Sequence, residues 1–189
     1  MNPYETDIQQ AVTAMRQHGV ILFPGDTIWG LGCDATDEVA IARLAKIKQR
    51  ALDKQFVILM TDLKQLAKYI AAPPPNLEWL LQQFDQPTTI VYPQAINLPN
   101  ALIAEDGSIA IRLTKDPFSR SLIKRIRQPI ISTSANFSGE PSPTCFADIP
   151  QALKDRVDYV VNWRQEESEA RTASAIMKLQ SDGSFLKLR

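Results

Sequence analysis

The stretch Ile131-Ser132-Thr133-Ser134-Ala135-Asn136-Phe137-Ser138-Gly139-Glu140-Pro141 starts apolar, on the second residue of the pair Ile130-Ile131, and turns polar at once. Ser, Thr and Asn side chains compete for backbone hydrogen bonds and favour turns and caps over helix or sheet interiors. The segment therefore reads as a loop carried by a short strand, Ile130 to Ser132. Binding groups collect on loops set on rigid scaffolds. A plain polar connection accounts for the same residues, so the scaffold has to decide between the two.

Working outward, Asp116-Pro117 joins an N-cap residue to a proline at the first helical position and starts a helix with Phe118, Leu122 and Ile126 on one side. Thr88 to Tyr92 and Ser108 to Leu113 read as strands, the second carrying Arg112. Before them, Leu63, Leu66, Ala67 and Ile70 mark one helix and Leu77, Leu80, Leu81 and Phe84 another, parted by Ala71-Ala72-Pro73-Pro74-Pro75. The chain begins with a helix through Ile8, Ala11, Val12 and Met15 that is expected to stop at Gly19. Val20 to Phe23 is a buried strand, and Asp26 to Asp34 is extended, with Gly30 and Gly32 allowing a close backbone approach. Asp37 to about Lys48 is helical, with Ala40, Leu44 and Ile47 on one face, and Phe56 to Met60 is a strand. Past the polar loop, Tyr159 to Asn162 is a strand, while Ala175 to Leu179 and Ser184 to Leu188 flank Ser181-Asp182-Gly183 as a hairpin. Strands alternating with helices, closed by a hairpin, predict a single α/β (α+β) domain over residues 1–189, a mixed sheet covered by helices on both faces.

The 189 residues are 44% hydrophobic and 22% charged, and a chain of this length buries roughly 70% of its unfolded surface without cross-links. Lys and Arg (21) balance Asp and Glu (21), so contact with RNA has to come from a local patch. Met1 to Gln10 has neither a basic start nor an apolar stretch, and the longest apolar run, Phe56 to Met60, is too short for a bilayer. A cytoplasmic protein with no membrane partner and with Cys33 and Cys145 free is expected.

Candidate chemistry narrows by elimination. The single histidine, His18, sits at an expected helix C-terminus, where the helix dipole explains it. Neither cysteine has a metal-ligand neighbour, and no Gly-x-x-x-x-Gly-Lys is present. Gly30-Leu31-Gly32-Cys33-Asp34-Ala35 matches the relaxed dinucleotide fingerprint, but its glycines lie within extended sequence, set off from the preceding strand by Pro24-Gly25-Asp26-Thr27. Lys48-Gln49-Arg50 ends a helix with a compact cation and a planar one. The pair either complements the helix dipole on a solvated face or holds phosphate and carboxylate oxygens.

Taken together, Phe23-Pro24-Gly25-Asp26-Thr27-Ile28-Trp29-Gly30-Leu31-Gly32-Cys33-Asp34-Ala35, Lys48-Gln49-Arg50, Pro87-Thr88-Thr89-Ile90-Val91, Arg112 and Thr133-Ser134-Ala135-Asn136-Phe137-Ser138-Gly139 resemble, in order, the motifs of the YrdC-like family. Ser174-Ala175-Ile176-Met177 resembles its closing strand. The resemblance implies a three-layer fold with a twisted mixed sheet of about seven strands. It also implies ATP-dependent synthesis of L-threonylcarbamoyladenylate from L-threonine, bicarbonate and ATP with release of pyrophosphate, a step toward threonylcarbamoyladenosine in tRNA. By position, Lys48 and Arg50 would be the catalytic cations on bicarbonate and ATP phosphates, and Ser132, Ser134 and Asn136 would contact the nucleotide. Arg112 would pair with the threonine carboxylate, Thr27 and Ser174 would hold its polar groups, and Thr89 would line the floor. Mg²⁺ is expected with ATP, held mainly by phosphate oxygens, and no protein metal site is expected. Transfer RNA and tRNA-modification proteins are possible partners. Such chemistry asks for placed cations and donors, not for a protein nucleophile.

The chain departs from the family pattern where Pro-Thr-Glu-Thr-Tyr is usual, at Ala51 and Gln55, after Arg112, and at Ala175 and Lys178. These changes alter pocket walls. Two other readings therefore stand beside the synthase. One is a YciO-type paralogue with a different substrate. The other is a noncatalytic RNA-binding module using Lys46, Lys48, Arg50, Lys54, Arg120, Lys124, Arg125 and Arg127. Gly139 to Thr144 is the candidate mobile segment.

Overall fold

The computed structural model describes residues 2–49 and 56–189. Helices are α1 (Glu5–Arg16), α2 (Glu38–Lys48), α3 (Leu63–Leu66), α4 (Leu77–Gln82), α5 (Pro117–Ile126) and α6 (Gln151–Lys154). Strands are β1 (Ile21–Phe23), β2 (Gly30–Gly32), β3 (Val57–Met60), β4 (Thr88–Tyr92), β5 (Ile109–Leu113), β6 (Ile130–Ser134), β7 (Tyr159–Val160), β8 (Ala175–Leu179) and β9 (Phe185–Lys187). They form one mixed sheet in the order β7-β1-β2-β6-β3-β5-β4-β8-β9. The expected α/β class holds, and the nine strands among the described residues exceed the about seven that the resemblance implied, with β7 and β9, both read from sequence as strands, forming the two edges.

Local chemistry explains most elements. The Asp116 carboxylate accepts from the Ser119 amide at 2.7 Å with Pro117 in the first turn, so α5 starts where capping dictates. Its Phe118 ring stacks on Phe23 of β1 and on Trp163, and Leu122 and Ile123 are buried with it, which docks α5 on α1 and β3. α1 ends at Arg16, and the left-handed residue is His18, not Gly19. Gly19 is required for a different reason, since a Cβ there would lie 2.4 Å from the Ala14 carbonyl oxygen. α3 and α4 are shorter than the apolar spacing predicted, at four and six residues. Among the described residues no helix is long and apolar enough to cross a membrane.

The pairing of β2 with β6 positions the site. Gly30 faces Ser134 and Leu31 faces Thr133, so the strand expected to end at Ser132 continues to Ser134 because β2 supplies its backbone partners. Only glycine fits at position 32, where a Cβ would meet the Ile131 carbonyl oxygen at 2.2 Å. The two glycines thus bring sheet backbones together, and they do not form a phosphate-binding turn.

Candidate functional site

The polar loop after β6 is bound to the end of α2. The Asp37 carboxylate caps the start of α2, accepting from the Val39 and Ala40 amides, and Gln49 closes its end in the left-handed region. This leaves Lys48 pointing inward, 2% exposed. Its ammonium donates to the Ser134 and Asn136 carbonyl oxygens, both at 2.6 Å, and to Asn136 Oδ1 at 3.0 Å. These three bonds tie the ammonium to the loop. Asn136 Nδ2 donates to the Glu140 carbonyl at 2.6 Å, and the Ser138 amide returns a bond to the Lys48 carbonyl at 2.9 Å. The Ala135 amide donates to the Trp29 carbonyl at 3.1 Å, which ties the loop to the entry of β2. Lys48 and Asn136 therefore build the loop from beneath, and a phosphate reaching the ammonium would have to displace one of these bonds. Arg50 lies outside the described residues.

On the other side of the loop a cavity of about 210 Å³ collects Thr27, Arg112, Ser132, Ser134 and Ser174, side chains drawn from four separate places in the sequence. Strand alternation explains the gathering. Ser132 and Ser134 share one face of β6, and Val57 pairs with Ser132, while Arg112 pairs with Leu59 on that same face of β3. Thr89 does not reach the cavity. It is fully buried, and its Oγ1 lies 2.9 Å from Ser174 Oγ, so it supports the serine from below. A larger cavity of about 810 Å³ floored by Ile90, Tyr92, Ile111 and Leu113 holds none of the expected site residues.

Charge in the smaller cavity is dominated by Arg112, 5% exposed, whose Nη2 lies 3.1 Å from Asp26 Oδ1. Burial pushes its guanidinium pKa down, opposed by the Asp26 and Asp116 carboxylates, and nearby Arg189 adds to the fall. Burial likewise pushes Asp116 up, against its hydrogen bonds from Ser119 and the charge of Arg164. Arg189 also lines the cavity, and its Nη2 and Nε donate to the Ser174 carbonyl at 2.9 and 3.2 Å. Ser142 lines the wall too. Asp26, Ser142 and Arg189 were not singled out from sequence. Asp26 lay within the recognised Pro24-Gly25-Asp26-Thr27 segment, while nothing local marks Arg189.

Other reactive groups are accounted for elsewhere. His18 Nδ1 lies 2.7 Å from Asp37 Oδ2, so the ring meets the N-cap of α2 and not only the end of its own helix. Burial pushes the Cys33 thiol pKa up, which keeps it from acting as a nucleophile. Among the described residues no group of three or more His, Cys, Asp or Glu side chains gathers as a metal site.

A family model described as telomere recombination, for Sua5, YciO and YrdC proteins, matches residues 13–189. The chain is 33% identical over 163 residues to the threonylcarbamoyl-AMP synthase of Xanthomonas campestris pv. campestris (strain B100), covering 85% of this chain and 87% of that protein. It is 34% identical over 142 residues to the protein of the same name from Coxiella burnetii (strain RSA 331 / Henzerling II), covering 75% and 76%. The crystal structure of P. abyssi Sua5 complexed with L-threonine superposes with a TM-score of 0.84 at 26% identity, covering 98% of this chain and 54% of that one. The chain thus spans about half the length of the P. abyssi protein. E. coli YciO shares the fold at a TM-score of 0.84 and 23% identity, covering 100% and 90%.

Proposed function

The chain belongs to the Sua5, YciO and YrdC family, and on that premise we propose that it makes L-threonylcarbamoyladenylate from L-threonine, bicarbonate and ATP. The threonine amine takes up bicarbonate to give a carbamate and water, a carbamate oxygen attacks the α-phosphorus, and pyrophosphate leaves. ATP enters as its Mg²⁺ complex, with the metal held mainly by phosphate oxygens. The product serves threonylcarbamoyladenosine formation in tRNA, in the cytoplasm, through a partner protein that consumes the adenylate.

The observation that carries the reading is the convergence of Thr27, Arg112, Ser132, Ser134 and Ser174 on one cavity behind a loop held by Lys48. Arg112 takes the threonine carboxylate, as a guanidinium suits it, with Thr27 and Ser174 on the remaining polar groups and Thr89 behind Ser174. Ser132 and Ser134 donate to the nucleotide. Lys48 fixes their loop and adds positive charge beneath the phosphates, and Arg50 contributes the second cation. The reaction needs only placed donors and charge, which suits a cavity lined by Thr27, Arg112, Ser132, Ser134 and Ser174. A noncatalytic RNA-binding module has no use for a buried guanidinium facing a cavity.

Pyrophosphate release from ATP, measured with and without threonine and bicarbonate, tests the proposal. Release that depends on both is expected. Release no greater than in the threonine-free control refutes it and leaves a YciO-type role with another substrate, whereas RNA binding that falls steeply with salt and survives loss of Asn136 would favour the RNA module.

A further inference from the structure

The buried ion pair of Arg112 leaves one of its donors unused. Its Nη2 meets Asp26 Oδ1 at 3.1 Å, yet among the described residues Arg112 Nε and Asp26 Oδ1 are both buried with no hydrogen-bond partner. The contact is thus charge attraction without an aligned hydrogen bond, and it leaves the directional Nε–H unused. A donor without an acceptor is disfavoured in a protein interior, and this one, buried as an atom, belongs to a side chain that lines the cavity, so that a carboxylate settling against the guanidinium finds it unpaired.

The carboxylate that steers Arg112 is itself held from two sides. Thr114 Oγ1 donates to Asp26 Oδ2 at 3.2 Å, and that same hydroxyl oxygen accepts from the Asp116 amide at 3.2 Å. On the backbone side, Arg164 Nη1 donates to the Gly25 carbonyl at 3.2 Å while contacting Asp116 Oδ1 at 3.2 Å. The turn before Asp26 and the group behind it are therefore pinned to the start of α5. We propose that Asp26, backed by Thr114, is a positioning residue: it orients the Arg112 guanidinium so that Nε–H stays available to the carboxylate of the amino-acid substrate. The identity of that amino acid rests on the synthase reading above, but the arrangement of Asp26 does not.

Steady-state pyrophosphate release of Asp26→Asn is measured against threonine and against L-threoninol, which lacks the carboxylate. The KM for threonine rises about tenfold or more, the KM for ATP stays within about twofold, and the preference for threonine over threoninol shrinks with the first change. Asp26→Glu restores part of it, and Thr114→Val shifts the threonine KM in the same direction by about threefold. Unchanged threonine KM and unchanged preference in Asp26→Asn overturn the proposal, as does an equal loss for threonine, threoninol and ATP.

A second readout needs no turnover. The Arg112 Nε–H signal in ¹⁵N spectra, identified by its loss in Arg112→Lys, shifts on adding threonine but not threoninol in the wild type and fails to shift in Asp26→Asn. If the wild type releases no threonine-dependent pyrophosphate, the synthase reading falls alone. The Nε–H signal then decides this proposal against a set of L-amino acids: a shift lost in Asp26→Asn supports it, and no shift with any of them overturns it.

Discussion

Replacing Lys48 by alanine separates two roles for its ammonium, holding the loop and meeting phosphate. The side chain is 2% exposed and makes bonds of 2.6, 2.6 and 3.0 Å to Ser134 and Asn136. Charge-assisted bonds contribute about 1.5–3 kcal/mol each but are not additive, because water reaches the vacated carbonyls. Truncation also removes three buried methylenes, about 0.8 kcal/mol each. Against both stands the relief of desolvating a cation. A net loss of about 3 kcal/mol is expected, which for a chain of this size lowers Tm by roughly 6–12 °C. Unfolding followed by circular dichroism is expected to keep a single transition at that lower Tm. Pyrophosphate release is expected to fall by about a hundredfold or more, the usual consequence of a displaced binding loop. A variant with wild-type Tm but lost activity would refute the loop-holding role and assign the ammonium to phosphate alone. Wild-type rates would refute both roles.

Gly32→Ala places a methyl 2.2 Å from the Ile131 carbonyl oxygen, so the β2–β6 pair must open; a loss of about 3 kcal/mol or more is expected in denaturant unfolding. Thr89→Val removes the hydroxyl partner of Ser174, and the threonine KM is expected to rise about fivefold with Tm nearly unchanged. Asp7 ties α1 to β7, accepting from Tyr159 Oη and from the Asn162 and Trp163 amides. Burial pushes its carboxyl pKa up, but these hydrogen bonds outweigh it and hold the pKa below the usual range. A pKa depressed by folding contributes stability that is fully present above the unfolded value of about 4 and is lost as pH falls through the folded one. Asp7→Asn is therefore expected to be less stable than wild type at neutral pH, with the gap closing below about pH 4 in unfolding titrations.

What could be read from sequence was what local chemistry decides. Asp116-Pro117 announces α5 because a cap and a first-turn proline act within three residues. Gly183, in the left-handed region, marks the β8–β9 hairpin for the same reason. Ser134 was read as loop because its hydroxyl favours turns, but a strand end is set by its neighbour, and Gly30 lies more than a hundred residues upstream. In the site, Thr27, Arg112, Ser132, Ser134 and Ser174 were legible as motifs in a familiar order, and the cavity brings them together. The part played by Lys48 was not legible, since two cations at a helix end do not disclose whether the first points inward. Asp26 and Arg189 escaped because an ion pair with Arg112 and a clamp on Ser174 leave no spacing signal along the chain.

The sheet order also sets when the cavity comes into being. Its walls come from Thr27 at one end and Ser174 and Arg189 at the other, and β8 joins by parallel pairing of Thr88 with Ala175. Parallel pairing across so long a separation is slow to form, because loop closure precedes the contacts that reward it. Residues 174–189 supply the wall that the Arg112–Asp26 pair and the Lys48-held loop face, so the cavity exists only where β8 is docked on β4. Loosening of that one parallel pairing would leave the charged arginine in place and open the chamber beside it.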